Sequence, residues 1–117
     1  MGLIFWIDQN TFATSLIERV FKKKQLPFYT LPSVEDFSYL VDDLGPVLIV
    51  LDGETYQKNP DAFLKQYEAS PKMQEIPFIL LEPKGDMGFI KKKIGELKKP
   101  VEPFELPEVL AKIFTAN

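Results

Sequence analysis

Three charged side chains in this sequence are placed so that they could act together on an anion or a metal ion. Asp8 directly follows an apolar run at residues 3–7, and Asp52 directly follows a second apolar run at residues 47–51. Lys99 comes later in the chain, immediately before Pro100. Two converging carboxylates suit Mg²⁺, and a neighbouring lysine neutralises a bound anion. Asp is also common in turns that follow strands, so either carboxylate alone has an ordinary structural explanation.

The composition limits the chemistry that is open to these residues. The 117 residues include no Cys and no His, which excludes disulfides, cysteine nucleophiles and a Ser-His-Asp triad. A formal net charge of −3 gives no general reason to expect nucleic-acid binding. No apolar run approaches the roughly 20 residues that cross a bilayer, and the N-terminus lacks the basic region of a signal peptide. We therefore expect a soluble, cytoplasmic protein without membrane association.

Short apolar runs predict the strands that would position the charged residues. Four such runs are clear, and a brief fifth strand is expected before Pro100. The predicted strands cover residues 3–7, 26–31, 47–51, 77–81 and 96–99. Because the clear runs are apolar throughout, both faces of the sheet should be covered by helices.

Helical spacing separates the runs. The first helix has an apolar face of Phe12, Leu16, Val20 and Phe21. The second is predicted to begin with Ser33 as its N-cap and to stop at Gly45. A third is predicted over residues 60–70, and a weaker, short one within residues 86–95. The apolar face of the last helix consists of Leu106, Val109, Leu110, Ile113 and Phe114.

This alternation predicts one α/β domain over residues 1–117. Five βα units give a doubly wound, three-layer sandwich around a parallel sheet, with the flavodoxin-like strand order 2-1-3-4-5. Ligands of such sheets bind beyond the carboxyl ends of the strands, where the strand order reverses. That point lies between the first and third strands, which end at Asp8 and Asp52.

At this point the strand ends resemble those of bacterial two-component response-regulator receiver domains, the CheY-like family. Receivers carry an acidic pair after the first strand, a phosphoryl-accepting Asp after the third, Ser or Thr after the fourth, and Lys-Pro after the fifth. The corresponding residues here are Asp8-Gln9, Asp52, Glu82 and Lys99-Pro100. The stretches KPVEPFEL at 99–106 and IPFILL at 76–81 are also similar to the family, so the resemblance covers essentially the whole chain.

The resemblance implies a signalling domain rather than an enzyme. Asp52 would accept a phosphoryl group from a sensor histidine kinase or a small phosphodonor. Asp8, Asp52 and the backbone carbonyl of Glu54 would hold Mg²⁺, and Lys99 would bind the phosphoryl oxygens. The signal would then pass to a separate output protein.

Several residues depart from the family pattern. Gln9 leaves only one carboxylate after the first strand, which weakens the Mg²⁺ site. Glu82 is an acceptor when ionised, so it would repel an aspartyl phosphate and could instead pair with Lys99. Glu96 replaces the usual aromatic switch residue, and the segment between Glu82 and Lys99 is shorter than in the family. Two interpretations follow: a phospho-accepting receiver with an altered switch, or a pseudo-receiver that acts as a phosphorylation-independent interaction module.

Other functions have less support. A flavodoxin-like cofactor binder or a hydrolase would need glycines or Ser/Thr clusters in the first turn, and Asp8-Gln9-Asn10-Thr11 lacks them. Lys91 to Lys93, with Lys98 and Lys99, could form a basic patch, although a solvated face is the simpler interpretation. Four aromatics are candidates for partner anchors, with core packing as the alternative: Phe28, Tyr29, Tyr56 and Phe104.

Overall fold

A five-stranded parallel sheet lies at the centre of the protein, with helices on both faces. The computed structural model describes residues 2–117. The strands are β1 (Ile4–Ile7), β2 (Phe28–Leu31), β3 (Leu48–Asp52), β4 (Phe78–Leu81) and β5 (Lys93–Leu97), in the order β2-β1-β3-β4-β5. The helices are α1 (Thr11–Lys23), α2 (Ser38–Leu44), α3 (Gly53–Lys58), α4 (Pro60–Ala69), α5 (Pro71–Gln74) and α6 (Leu106–Thr115). The predicted flavodoxin-like fold and strand order are confirmed.

Alternating side chains of the strands lie in two separate hydrophobic core layers, one on each face of the sheet. Phe5, Ile49 and Phe78 point to the face that also receives Phe37 of the loop before α2 and Phe63 of α4. On the opposite face, residues such as Trp6, Val50 and Ile79 pack against α1 and α6. The strands are therefore buried on both faces, as their continuous apolar runs predict.

The register of the strands brings their charged ends together. β1 pairs with β3 in parallel, with Ile7 opposite Leu51, so Asp8 and Asp52 follow at the same edge of the sheet. Asp52 in turn lies opposite Leu81 of β4, which places Glu82 at that edge as well.

The start of α2 differs from the prediction that Ser33 would cap it. The helix begins at Ser38, and Asp36 adopts a left-handed backbone (φ 52°) that interrupts the local helical pattern. Gln66 of α4 supplies the cap instead, because its Oε1 accepts from the backbone N–H groups of Phe37 (2.7 Å) and Ser38 (2.9 Å). The predicted stop at Gly45 is confirmed, in a left-handed conformation.

The first helix also buries a different face from the predicted one. Val20 and Phe21 are buried, together with Thr14 and Ile17, whereas Phe12 is 76% exposed and Leu16 is 38% exposed. The core-facing stripe is therefore rotated away from Phe12 and Leu16, which lie on the outer surface.

The second half of the chain differs from the prediction in several elements. Residues 86–92 form turns rather than a helix, and β5 spans Lys93–Leu97, earlier than the predicted 96–99. An Asx-type contact from the Gly88 N–H to Asp86 favours the turn over a helix. The two short helices α3 and α5, which flank the predicted third helix, were not predicted.

No helix within residues 2–117 has the length and apolar character needed to span a bilayer.

Candidate functional site

The structure brings Asp8, Asp52 and Lys99 together at the carboxyl ends of β1, β3 and β5. The Lys99 ammonium lies 2.7 Å from Oδ1 of Asp52, as its place at the end of the fifth strand predicted. Asp52 is 0% exposed and Asp8 is also buried, while the Lys99 side chain reaches the site from a partly exposed position. In the described chain, Oδ1 of Asp52 accepts no hydrogen bond from another group, so it depends on this ion pair.

The second oxygen of Asp52 is used to cap α3. Oδ2 accepts from the Thr55 backbone N–H at 3.0 Å and from the Thr55 hydroxyl at 2.7 Å. The same hydroxyl accepts a hydrogen bond from the backbone N–H of Gln9 at 2.8 Å. Thr55 therefore connects the loop after β1 to the carboxylate after β3. Both oxygens of Asp52 are engaged by protein groups.

Asp8 is held by neighbours in its own segment. Its Oδ1 accepts from the Asn10 N–H at 3.0 Å, and its Oδ2 accepts from the Trp6 indole N–H at 3.4 Å. Burial raises the pKa of Asp8, and the negative charge of Asp52 raises it further. These two effects exceed the opposing effects of the Asn10 hydrogen bond and the Lys99 charge.

Lys99 lies in the same surroundings as the two carboxylates. Burial pulls the pKa of its ammonium down, but the bond to Asp52 and the charges of Asp52 and Asp8 outweigh burial. The pKa of Lys99 is therefore raised above its ordinary value, and the ammonium stays charged throughout the physiological range. One cation thus faces two carboxylates.

The edge of the site beside β4 is tightly packed. Glu82 is half-buried with a left-handed backbone (φ 47°), and it forms none of the ion pairs found within residues 2–117. The suggested pair between Glu82 and Lys99 is not formed, because Lys99 turns to the fully buried Asp52. A Cβ at Gly53 would lie 2.0 Å from the Glu82 carbonyl oxygen, so only glycine fits there.

Glu54 lies in the first turn of α3, next to this edge. Its carboxylate pairs with Lys84 at 3.0 Å across the mouth of the site. The hydrogen bond from Lys84 and the charge of that ammonium lower the pKa of Glu54. Gln57 also donates to the Lys84 carbonyl oxygen, which further ties α3 to the loop after β4.

Glu96 and the lysine-rich segment lie away from the site. Glu96 is an exposed residue of β5 that pairs with Lys93, so it does not fill the position of a buried aromatic. Lys92 pairs with Glu75 at 2.9 Å, and Lys91 donates to the Gln74 side chain. This distribution matches a solvated, locally neutralised face.

The carboxylates of Asp8 and Asp52 are the candidate side-chain ligands of Mg²⁺ at this edge of the sheet. A hard dication needs carboxylate or carbonyl oxygens with free lone pairs in a nearly octahedral arrangement. Asp8 and Asp52 each accept hydrogen bonds at the site, and the ammonium of Lys99 occupies Oδ1 of Asp52. Within residues 2–117 no group of three acidic, His or Cys side chains is arranged to hold a metal. The weak Mg²⁺ site expected from Asp8, Asp52 and the Glu54 carbonyl stays a prediction.

Two residues of the site were missed in the sequence. Thr55 lies three residues after Asp52, which is the spacing of an N-cap and its N3 partner, and this spacing would have indicated both α3 and the hydroxyl contact. Trp6 carried no such signal, because a tryptophan in a buried strand is explained by core packing alone. Its indole N–H nevertheless reaches Asp8.

Comparison with solved structures identifies what this arrangement is similar to. A response regulator from Desulfuromonas acetoxidans superposes with a TM-score of 0.77 at 15% identity, covering 99% of this chain and 98% of that chain. The chemotaxis protein CheY4 of Vibrio cholerae gives 0.75 at 13% identity, covering 97% and 98%. A CheY-like receiver domain protein from Methanospirillum hungatei gives 0.75 at 12% identity, with the same coverage.

The chain has the receiver-domain fold. No family model and no curated protein sequence matches it, and the identities to the solved receivers are low, so the comparisons establish the fold alone. On this receiver fold, Asp8, Asp52 and Lys99 occupy the strand ends where the sequence resemblance had assigned them.

Proposed function

We propose that this chain is a signalling module with a receiver fold that acts through contacts with a protein partner and without phosphorylation of Asp52. The observation that carries the proposal is the state of the Asp52 carboxylate. It is fully buried, Oδ2 accepts two hydrogen bonds from Thr55, and Oδ1 faces Lys99 at 2.7 Å. A carboxylate in this position stabilises α3 and the sheet edge.

Phosphoryl transfer to Asp52 would require a different arrangement. One carboxylate oxygen has to form the new O–P bond while the phosphodonor's leaving group departs on the opposite side. Either the Thr55 bonds or the Lys99 pair would have to be given up first. The residue after β4 is Glu82, which has no hydroxyl to donate to the aspartyl phosphate.

The second candidate function is that of a phospho-accepting receiver, with a sensor histidine kinase as donor. It is favoured by the retained pair of Asp52 and Lys99, since an ammonium beside a carboxylate can stabilise the charge that develops in phosphoryl transfer. This candidate requires Lys99 to move from Oδ1 to the incoming phosphoryl group.

One experiment separates the two candidates. The protein is incubated with acetyl phosphate and Mg²⁺, and its intact mass is measured beside that of the Asp52→Asn variant. Borohydride reduction, which traps a labile acyl phosphate, is run in parallel. We expect no phosphoryl adduct on either protein. An adduct of one phosphoryl group that is lost in Asp52→Asn would replace the proposal with the phospho-accepting function.

The Trp6 indole gives an independent measurement, because its N–H contacts Asp8 and it is the only tryptophan in the sequence. Mg²⁺ bound at Asp8 would change the surroundings of the indole and therefore its fluorescence. We expect no Mg²⁺-dependent change beyond that produced by Na⁺ at equal ionic strength. A saturable Mg²⁺-specific change would support the expected Mg²⁺ site and favour the phospho-accepting candidate.

A further inference from the structure

Two adjoining apolar grooves lie between α1 and the loop that connects β5 to α6. The first has a volume of about 550 Å³ and the second about 490 Å³, and both values are typical of small-molecule sites. Leu16 and Pro103 line both grooves, so the two form one continuous surface, which we call the α1 groove. Its other apolar side chains include Phe12, Ile17, Val20, Leu81, Val101 and Phe104.

Two phenylalanines of the α1 groove are largely exposed, although they lie on separate elements of the fold. Phe12 is 76% exposed in the first turn of α1, and Phe104 is 77% exposed in the loop before α6. Single exposed apolar residues need no explanation, but several that line one concave surface mark an interaction site. A hydrocarbon chain in the groove would remove these rings from water, which is favourable in proportion to the apolar area buried.

Charged residues lie at both ends of the α1 groove, but their partners differ. In the first groove, Asp8 accepts two hydrogen bonds and Lys99 pairs with Asp52. In the second groove, no acidic side chain is present and three cations take part in none of the ion pairs found within residues 2–117. They are Arg19, Lys23 and Lys24. The anionic group of a ligand is therefore expected in the second groove, and its apolar part in the first.

We propose that the α1 groove binds a long-chain carboxylate, with its hydrocarbon chain over Phe12 and Leu16 and its carboxylate beside Arg19 and Lys23. The helix rises by about 16 Å from Phe12 to Lys23. The hydrocarbon chain of a membrane lipid spans about 15 Å, half the thickness of the bilayer core, so one such chain matches the length of the groove. The planar guanidinium of Arg19 can bind both oxygens of a carboxylate.

A single dissolved amphiphile is the expected occupant rather than a membrane surface. The apolar side chains line two cavities, whereas a helix that lies on a bilayer presents a protruding apolar face. The formal net charge of −3 also opposes adsorption of the whole chain to anionic lipid. This inference goes beyond the proposed function, because it concerns a site that does not depend on the chemistry of Asp52.

A series of carboxylates tests the hydrocarbon part of the proposal. Octanoate, decanoate and dodecanoate are each titrated below their micellar concentrations into the ¹⁵N-labelled full chain, without phosphodonor or Mg²⁺. Each fully buried CH₂ group tightens binding by about fourfold. Because the groove is open on one side, we expect the affinity to rise by at least about fourfold for every two carbons added. The amide signals that shift should be those of α1 and of the β5–α6 loop.

A cationic amphiphile with the same chain length tests the charge. Dodecyltrimethylammonium carries the hydrocarbon chain of dodecanoate with a positive head group. We expect it to bind at least fivefold more weakly than dodecanoate at low ionic strength, because the cations of the second groove repel it. The difference should shrink as salt is added, since these side chains are exposed.

Matched variants locate the apolar part of the site. Leu16→Gln should weaken binding of dodecanoate at least fivefold, because Leu16 lines both grooves and glutamine is itself a good helix former. Leu44→Gln is the control, since Leu44 is similarly exposed (43% against 38%) at the end of α2, on the opposite face of the sheet. It should leave the affinity unchanged. Circular dichroism establishes that each variant is folded before it is titrated.

A second pair of variants tests the cations. Arg19→Gln with Lys23→Gln should abolish the preference for dodecanoate over dodecyltrimethylammonium. The control is Lys58→Gln with Lys65→Gln, which removes two exposed cations that lie outside the α1 groove and outside the ion pairs found within residues 2–117. This control should keep the preference.

Several outcomes would overturn the proposal. They are equal affinity for octanoate and dodecanoate, equal affinity for the anionic and cationic amphiphiles, absence of binding below the micellar concentration, and signal shifts confined to other surfaces. Flotation of the chain with phosphatidylglycerol vesicles, without binding of free dodecanoate, would assign the groove to a membrane surface instead. A concentration-dependent dimer in sedimentation that Leu16→Gln dissociates, again without binding of dodecanoate, would assign it to a second copy of the chain.

Discussion

Replacing Thr55 with valine removes the hydroxyl that joins Asp52 to the loop after β1, while keeping nearly the same volume. The hydroxyl donates to the buried Asp52 carboxylate at 2.7 Å and accepts from the Gln9 N–H at 2.8 Å. A hydrogen bond to a charged group contributes about 1.5–3 kcal/mol, and a partly buried N–H left without a partner costs about 1 kcal/mol. We therefore expect Thr55→Val to lower the free energy of unfolding by about 2.5–4 kcal/mol.

The assay is urea denaturation followed by Trp6 fluorescence and by far-ultraviolet circular dichroism. For a domain of this size the expected loss corresponds to a fall in Tm of roughly 8–15 °C. Thr55→Ser is the matched control, because it keeps the hydroxyl and loses one methyl group, at a cost of about 1 kcal/mol. If the valine variant were as stable as the serine variant, the hydroxyl would not be holding Asp52 and the reasoning would be refuted.

The same pair of variants tests why Asp52 is expected to resist phosphorylation. Valine at position 55 leaves Oδ2 of Asp52 with one hydrogen bond instead of two. If Thr55 blocks the carboxylate, the valine variant should take up a phosphoryl group from acetyl phosphate more readily than the serine variant. Equal adduct formation above background in both would contradict a blocking role for Thr55.

The remaining predictions concern neighbouring residues. Burial raises the folded-state pKa of Asp8, so its ionised form destabilises the fold, and Asp8→Asn should raise Tm at pH 7. The margin should shrink as pH falls through the raised pKa and be gone below the ordinary aspartate pKa, and a margin independent of pH in calorimetry would refute this. Lys99→Met leaves Oδ1 of Asp52 buried and unpartnered and should cost about 1–3 kcal/mol in urea denaturation, a moderate value because solvent reaches the partly exposed Lys99 side of the pair. Because Asp52 raises the pKa of Lys99, this loss should persist from neutral pH and diminish only at strongly alkaline pH. Gly53→Ala places a Cβ at 2.0 Å from the Glu82 carbonyl oxygen and should destabilise by more than about 3 kcal/mol, whereas unchanged melting would show that the start of α3 and the loop after β4 separate freely.

Much of the fold could be predicted because its main signals are local. Each buried strand is a continuous apolar run, and each long helix repeats its apolar residues at helical spacing, so their order along the chain predicts the parallel sheet. The meeting of Asp8, Asp52 and Lys99 followed from the rule that strand ends share one edge. Their local position in the sequence was sufficient for that prediction.

Two of the errors arise where distant contacts decide the local structure. Ser33 has the residue type of a helix cap, but a side chain from another helix caps α2. Phe12 and Leu16 fit a buried stripe, yet α1 packs through the neighbouring residues and leaves them in solvent. Which edge of an apolar stripe meets the sheet is set by the packing of the whole helix.

The cap that Gln66 provides has a consequence for how the chain folds. A seven-residue helix is too short to form alone in water, and α2 has no side chain of its own to cap its first turn. Gln66 also donates to the carbonyl oxygens of Val34 and Ala62, so its amide binds both the segment before α2 and its own helix. We therefore expect α2, which is synthesised before α4, to become stable only after α4 has docked.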